Sequence, residues 1–269
     1  AVASGYQSTA FSTATASGIY SLAMSLGAQA TNRASVAIGM HAHSTGLYSV
    51  ALGGGETAGN TIASGTHSVV VGYGARASTD SAMAFGTTSR ADGFSCVAIG
   101  GGRGQFGTGA RATADDAIAI GAASQASGQN SVAIGGADTT ANGAKASEAR
   151  ATALGFGSTA KAADTIAIGD ATASAADAIA MGRAAQAAGA MSIAIGYDAI
   201  ATGSIAMGAS SRAGNGGAAF GDGANATYNG GVIDPAIVAG AALGQNAIAD
   251  VSGATALGTN SSVTTINGV

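Results

Sequence analysis

Ser131-Val-Ala-Ile-Gly135, Thr165-Ile-Ala-Ile-Gly169 and Ser192-Ile-Ala-Ile-Gly196 are copies of one five-residue phrase, small–apolar–Ala–apolar–Gly. It is also spelled at Ser35–Gly39, Ser49–Gly53, Ser68–Gly72, Cys96–Gly100, Ala117–Gly121, Ala151–Gly155, Ala178–Gly182 and Ser204–Gly208. Looser copies end at Gly86, Gly221, Gly244 and Gly258, and two end in serine, at Ser12 and Ser25, for 17 in all. Twelve of the 16 spacings between successive phrase ends lie between 12 and 14 residues; the others are 19, 21, 20 and 23. A second phrase sits between the rungs: small residues three and five places beyond the glycine, as in Ala75 and Ala77, Ser124 and Ala126, or Ala199 and Ala201. A period filling the whole chain is the mark of a solenoid, in which each unit buries its core only against its neighbours.

Alternation with period two in both phrases predicts two short strands per unit, because successive strand side chains point to opposite faces. Fourteen residues hold two strands of about four or five residues each and two tight turns, at roughly 3.3 Å per strand residue. The recurring glycines supply positive φ or a close backbone approach. Helix is the competing reading for so much alanine. A glycine in every period costs a helix about 1 kcal/mol, and β-branched Val and Ile recur at alternate positions, so strand prevails. The fold class is all-β: a parallel β-roll of coils about 14 residues long, with one repetitive domain over 1–269.

The two faces of the first strand differ. Positions one and three are almost always small, Val70 being the larger exception, whereas positions two and four are large, as in Val36 with Ile38 or Ile179 with Met181. A coil of 14 residues is thin, which favours small residues inside and the large row outside, although the reverse assignment also satisfies the pattern. An outward apolar ladder of that length far exceeds the few hundred Å² that a soluble monomer exposes, which predicts an assembly.

The phrase at this period, with its A-x-A partner strand as in Gly72-Tyr-Gly-Ala-Arg-Ala77, resembles the head repeat of trimeric autotransporter adhesins, the Yersinia-adhesin-like heads. The resemblance implies a left-handed roll, a homotrimer about one axis, and adhesion of a bacterial surface fibre to host cells or extracellular matrix. It also implies a role in virulence and a cell-surface location, anchored in the outer membrane by the full-length protein. The apolar row then forms the trimer interface, represented by Val36, Ile38, Ile134, Ile168, Ile179, Met181, Ile195 and Met207. With neither a heptad stalk nor a membrane anchor in the sequence, the chain is expected to be a head alone, making no membrane contact itself.

Composition narrows the other classes. Only 9 % of residues are charged, the net charge is -4 and 47 % are hydrophobic. Disordered chains need the opposite balance, and the basic footprint of a nucleic-acid binder is missing. The pattern Gly102-Arg-Gly-Gln-Phe-Gly107 spells GxGxxG, but the next stretch, Thr108-Gly-Ala-Arg-Ala112, returns to the strand rhythm instead of opening a helix, so no cofactor is expected. His41 and His43 could share a strand face, yet nothing in sequence completes a metal site around them. Cys96 stands at a small first position and reads as a buried thiol; Asp115, Asp116 and Glu148 read as isolated acids near turns. An enzyme is not expected, so there are no catalytic residues to name. An ice-binding solenoid would need one Thr per coil, and a hexapeptide acyltransferase helix a longer coil with a catalytic His.

Four insertions break the period, near 54–66, 101–109, 136–143 and 229–238. Loops on a rigid scaffold are the usual seat of discrimination, so Arg103, Gln105, Phe106, Asn142, Ile233 and Ile237 are the candidate ligand contacts.

Overall fold

A computed structural model describes residues 1–55, 60–102, 108–139, 141–226, 228–229, 232–233 and 238–264. The described residues form strands and turns and no helix. The chain divides into two compact units, Ala1–Ser147 and Glu148–Val269.

Each unit is a parallel β-solenoid with two strands per coil. In the first, nine three-residue strands, from Thr9–Phe11 to Val132–Ile134, pair side by side in one parallel sheet, and ten two-residue strands, from Val2–Ala3 to Lys145–Ala146, form a second. The second unit repeats this with eight long strands, Thr152–Leu154 to Thr255–Leu257, and eight short ones, Thr159–Ala160 to Ser262–Val263. Register is strict: Val36, Ala37 and Ile38 lie beside Val50, Ala51 and Leu52, one coil on. A one-residue slip would turn every alanine outward, so the buried face holds the register.

The strands are shorter than the four or five residues expected, because the corners consume most of each coil. Two positions do the turning. The last turn residue takes left-handed φ and is usually not glycine, as at Tyr48 (55°), Asn130 (56°) and Asp164 (59°). Asn and Asp tolerate that region best among side chains that carry a Cβ. The rung-ending glycine does something else: Gly39 has φ 122°, and a Cβ placed there would stand 1.8 Å from the Gly53 carbonyl oxygen of the next coil. At Gly39 glycine thus serves both the positive φ and the close approach of the next coil.

The core lies between the two sheets and is built from small side chains. Ala37, Ala51, Ala98, Ala133, Ala167, Ala180 and Ala194, all at the third rung position, are fully buried, as are Ala16, Ala77, Ala126, Ala187 and Ala213 from the short strands. Val70 is the largest fully buried side chain among the described residues. Small residues therefore line the interior, as thinness favoured. Several first-position serines are buried at little cost because they cap their own turns: the hydroxyls of Ser49 and Ser68 donate to the Gly46 and Gly65 carbonyls, both at 2.7 Å, whereas the buried hydroxyls of Ser131 and Ser192 make no such bond. Cys96 occupies the same site and reaches the Ala112 carbonyl oxygen at 3.4 Å from Sγ.

Candidate assembly and binding surfaces

With alanine turned inward, the second and fourth residues of each long strand must face out. All eight residues expected at an interface do so: Val36, Ile38, Ile134, Ile168, Ile179 and Ile195 are half-buried, and Met181 and Met207 are each 38 % exposed. In the second unit, Ile168, Met181, Ile195 and Met207 are successive neighbours in one row. Ile38 and Ile134 belong to the matching row of the first unit, which also shows Phe11 and Ile99 to solvent, while Val36 and Ile179 stand in the second-position rows beside them. Each row is continuous, apolar and lacks a carboxylate or a cation, the composition of a protein–protein contact.

The short-strand sheet presents the opposite face. Its outward row in the first unit reads Val2, Thr15, Gln29, His43, Ile62, Arg76, Arg90, Arg111, Gln125 and Lys145. Arg76, Arg90 and Arg111 are direct register neighbours. Arg90 pairs with Asp92 at 3.1 Å, and Asp92 also accepts the Ser78 hydroxyl at 2.6 Å. In the second unit the row is Thr159, Thr172, Gln186, Ile200, Arg212, Asn225, Ile248 and Ser262; its one arginine lies 3.0 Å from Asp198. Arg76, Gln125, Gln186, Arg212 and Asn225 stand four places after a rung end, whereas Arg111 and Lys145 follow insertions and join the row through the register between coils.

The insertions enter at defined corners. Three lie between a long strand and the next short strand: Leu52 to Ile62, Ile99 to Arg111 and Ile134 to Lys145, against a regular link such as Ile38 to His43. The fourth lies at the other corner, between Asn225–Ala226 and Ala241–Leu243, and contains an antiparallel pair of two-residue strands, Tyr228–Asn229 with Val232–Ile233. Of the candidate ligand contacts, Asn142 is exposed in a turn and its backbone N–H donates to the Thr139 carbonyl at 3.2 Å. Ile233 sits in the second strand of that pair, while Arg103, Gln105, Phe106 and Ile237 lie outside the described residues.

The family model for the YadA head domain repeat matches residues 30–55, 63–89, 106–124, 112–137, 146–172, 173–199 and 240–261, more than half of the chain. The chain belongs to the YadA head repeat family. No curated protein sequence matches it. The matches fall in both units, and the resemblance to trimeric autotransporter adhesin heads is thereby shown.

Outside these surfaces, the head-repeat framework accounts for the residues with chemical potential. Cys96 is buried, and that burial pushes its thiol pKa up to about 11. The ring of His67 stacks on Tyr48 at 5.2 Å. His43 lies on the outer row, and burial together with neighbouring His41 lowers its pKa. The GxGxxG stretch leads into the strand Arg111–Ala112, where a dinucleotide fingerprint would need a helix.

Proposed function

We propose that the chain is the non-enzymatic adhesive head of a bacterial surface fibre, a left-handed β-roll assembled as a homotrimer and attaching the cell to host cells or extracellular matrix. The observation that carries this is the continuous outward apolar row of each long-strand sheet, on a chain built of YadA head repeats. Three chains that turn those rows toward a common axis cover them and leave the short-strand sheets and insertions outward. In the full-length fibre the head stands away from an outer-membrane anchor. An ice-binding role fits less well: Thr15, Thr159 and Thr172 are the threonines on the short-strand rows, and only the last two are adjacent, short of one per coil.

Regular coils repeated on three chains supply avidity, and the insertions supply discrimination. The test trims the coils of 19, 21, 20 and 23 residues back to 14 and compares binding to immobilised matrix proteins and cell monolayers. The trimmed head is expected to remain assembled and to lose selectivity among surfaces. Unchanged selectivity after all four trims would place recognition on the regular coils alone, and an intact head that binds no host surface would refute the adhesive reading.

A further inference from the structure

The first unit carries a feature that trimerisation does not use. Arg76, Arg90 and Arg111 stand on three successive coils in strict register, with Gln125 and then Lys145 on the next two. At roughly 4.8 Å per coil, the guanidinium-bearing strands repeat at that interval and the row from Arg76 to Lys145 spans about 19 Å. Like charges placed side by side on a sheet are destabilising, so such a row works against the fold unless an anion covers it.

Neighbouring carboxylates do not neutralise the row. Asp92 pairs with Arg90, but among the described residues Arg76 and Arg111 have no ion-pair partner. Asp80 and Asp115, at the adjoining corner, accept backbone N–H groups of the preceding coil, from Thr66 at 2.8 Å and Phe94 at 2.9 Å, so they lock turns. Asp116 is exposed at that same corner. Lys145 gives its ammonium to the Ala141 carbonyl at 2.9 Å, and Arg90 keeps a buried Nε without a partner.

We propose that this arginine row binds a linear sulfated polysaccharide laid along the stack of coils. Planar guanidinium forks suit sulfate oxygens, and a one-dimensional row suits a stiff polymer whose anionic groups recur every few ångströms. Nucleic acid fits less well, since no aromatic side chain stands on the row to stack a base, and a broad duplex would meet the acids at 80, 92, 115 and 116. An acidic peptide cannot add as a strand, because Arg76–Ala77 and Arg90–Ala91 are already paired on both sides. The row lies on the sheet opposite the apolar one, so the inference deepens the adhesive reading and is compatible with the trimer on which that reading rests.

The test is binding of the intact purified chain to heparin dodecasaccharide on a sensor surface at about physiological salt, with desulfated heparin, oligothymidylate and polyglutamate as comparison probes. Heparin is expected to bind best, with affinity that falls steeply as salt rises. The double variant R76Q/R111Q, which keeps the Arg90–Asp92 pair, is expected to lose at least tenfold, whereas R150Q/K161Q/R183Q in the second unit binds as the parent does. Heparin should also raise the melting temperature of the parent and not of the double variant, whose own melting temperature stays level or rises. Undiminished heparin binding by the double variant, or equal binding of oligothymidylate or polyglutamate, overturns the proposal. These assays involve neither cells nor assembly state, so they can fail while the adhesive reading stands, and the reverse.

Discussion

At the scale of the residue, the fold rests on size more than on hydrophobicity. Ala167 is fully buried between Ala153 and Ala180 of the adjacent coils, in an interior whose largest fully buried side chain among the described residues is Val70. Ala167→Leu forces three extra carbons into that space, and overpacking of this kind costs about 1–3 kcal/mol. Thermal melts should show a drop of several degrees for Ala167→Leu and little change for Ala167→Ser; a leucine variant melting with the parent would mean that the small face does not line a tight interior. Cys96 obeys the same geometry. Its thiol pKa, raised by burial, keeps it neutral through physiological pH, so native chain should resist a disulfide reagent at pH 8 and react fully once unfolded. Because the unfolded chain ionises its thiol first, the contribution of the buried thiol to stability declines as pH rises above the ordinary thiol range. Rapid labelling of the native chain would contradict the burial.

At the scale of the element, a long strand has one duty on each face. Ile195 is half-buried on the outer face, flanked in register by Met181 and Met207, while Ala194 beside it is fully buried inside. Ile195→Asp should therefore leave the coil folded, with an unchanged circular dichroism spectrum, yet abolish assembly, because a trimer would bury three unpaired charges at several kcal/mol each. A variant that still assembles would move Ile195 off the interface. The two-strand coil and its period were legible because alternation and spacing repeat so often that chance cannot produce them; which face lies inside was not fixed by the alternation, and only the thinness of the coil favoured the small one. Strand length was not, since the sequence does not show that left-handed residues such as Tyr48 and Asn130 turn the corners, while glycines such as Gly39 serve close approach between coils. The lengths of the insertions were plain in the broken period, but that three of them share one corner needed the strand ends at Leu52, Ile99 and Ile134. Arg76 and Arg90 were visible as polar neighbours of alanine; that they form a row depends on the register between coils.

At the scale of the whole molecule, each unit adds its coils one on another, so stability is a sum over many weak, similar contacts. What such a stack cannot do alone is cover the apolar rows it turns outward, from Phe11 to Ile134 in one unit and from Leu154 to Leu257 in the other. Assembly is thus the expected consequence of the same size rule that puts alanine inside. The direct measurement is the mass of the purified chain by light scattering across dilution into the low-micromolar range. The account predicts a stable species of three times the 25.0 kDa chain mass that persists on dilution. A folded 25.0 kDa monomer at micromolar concentration would contradict it.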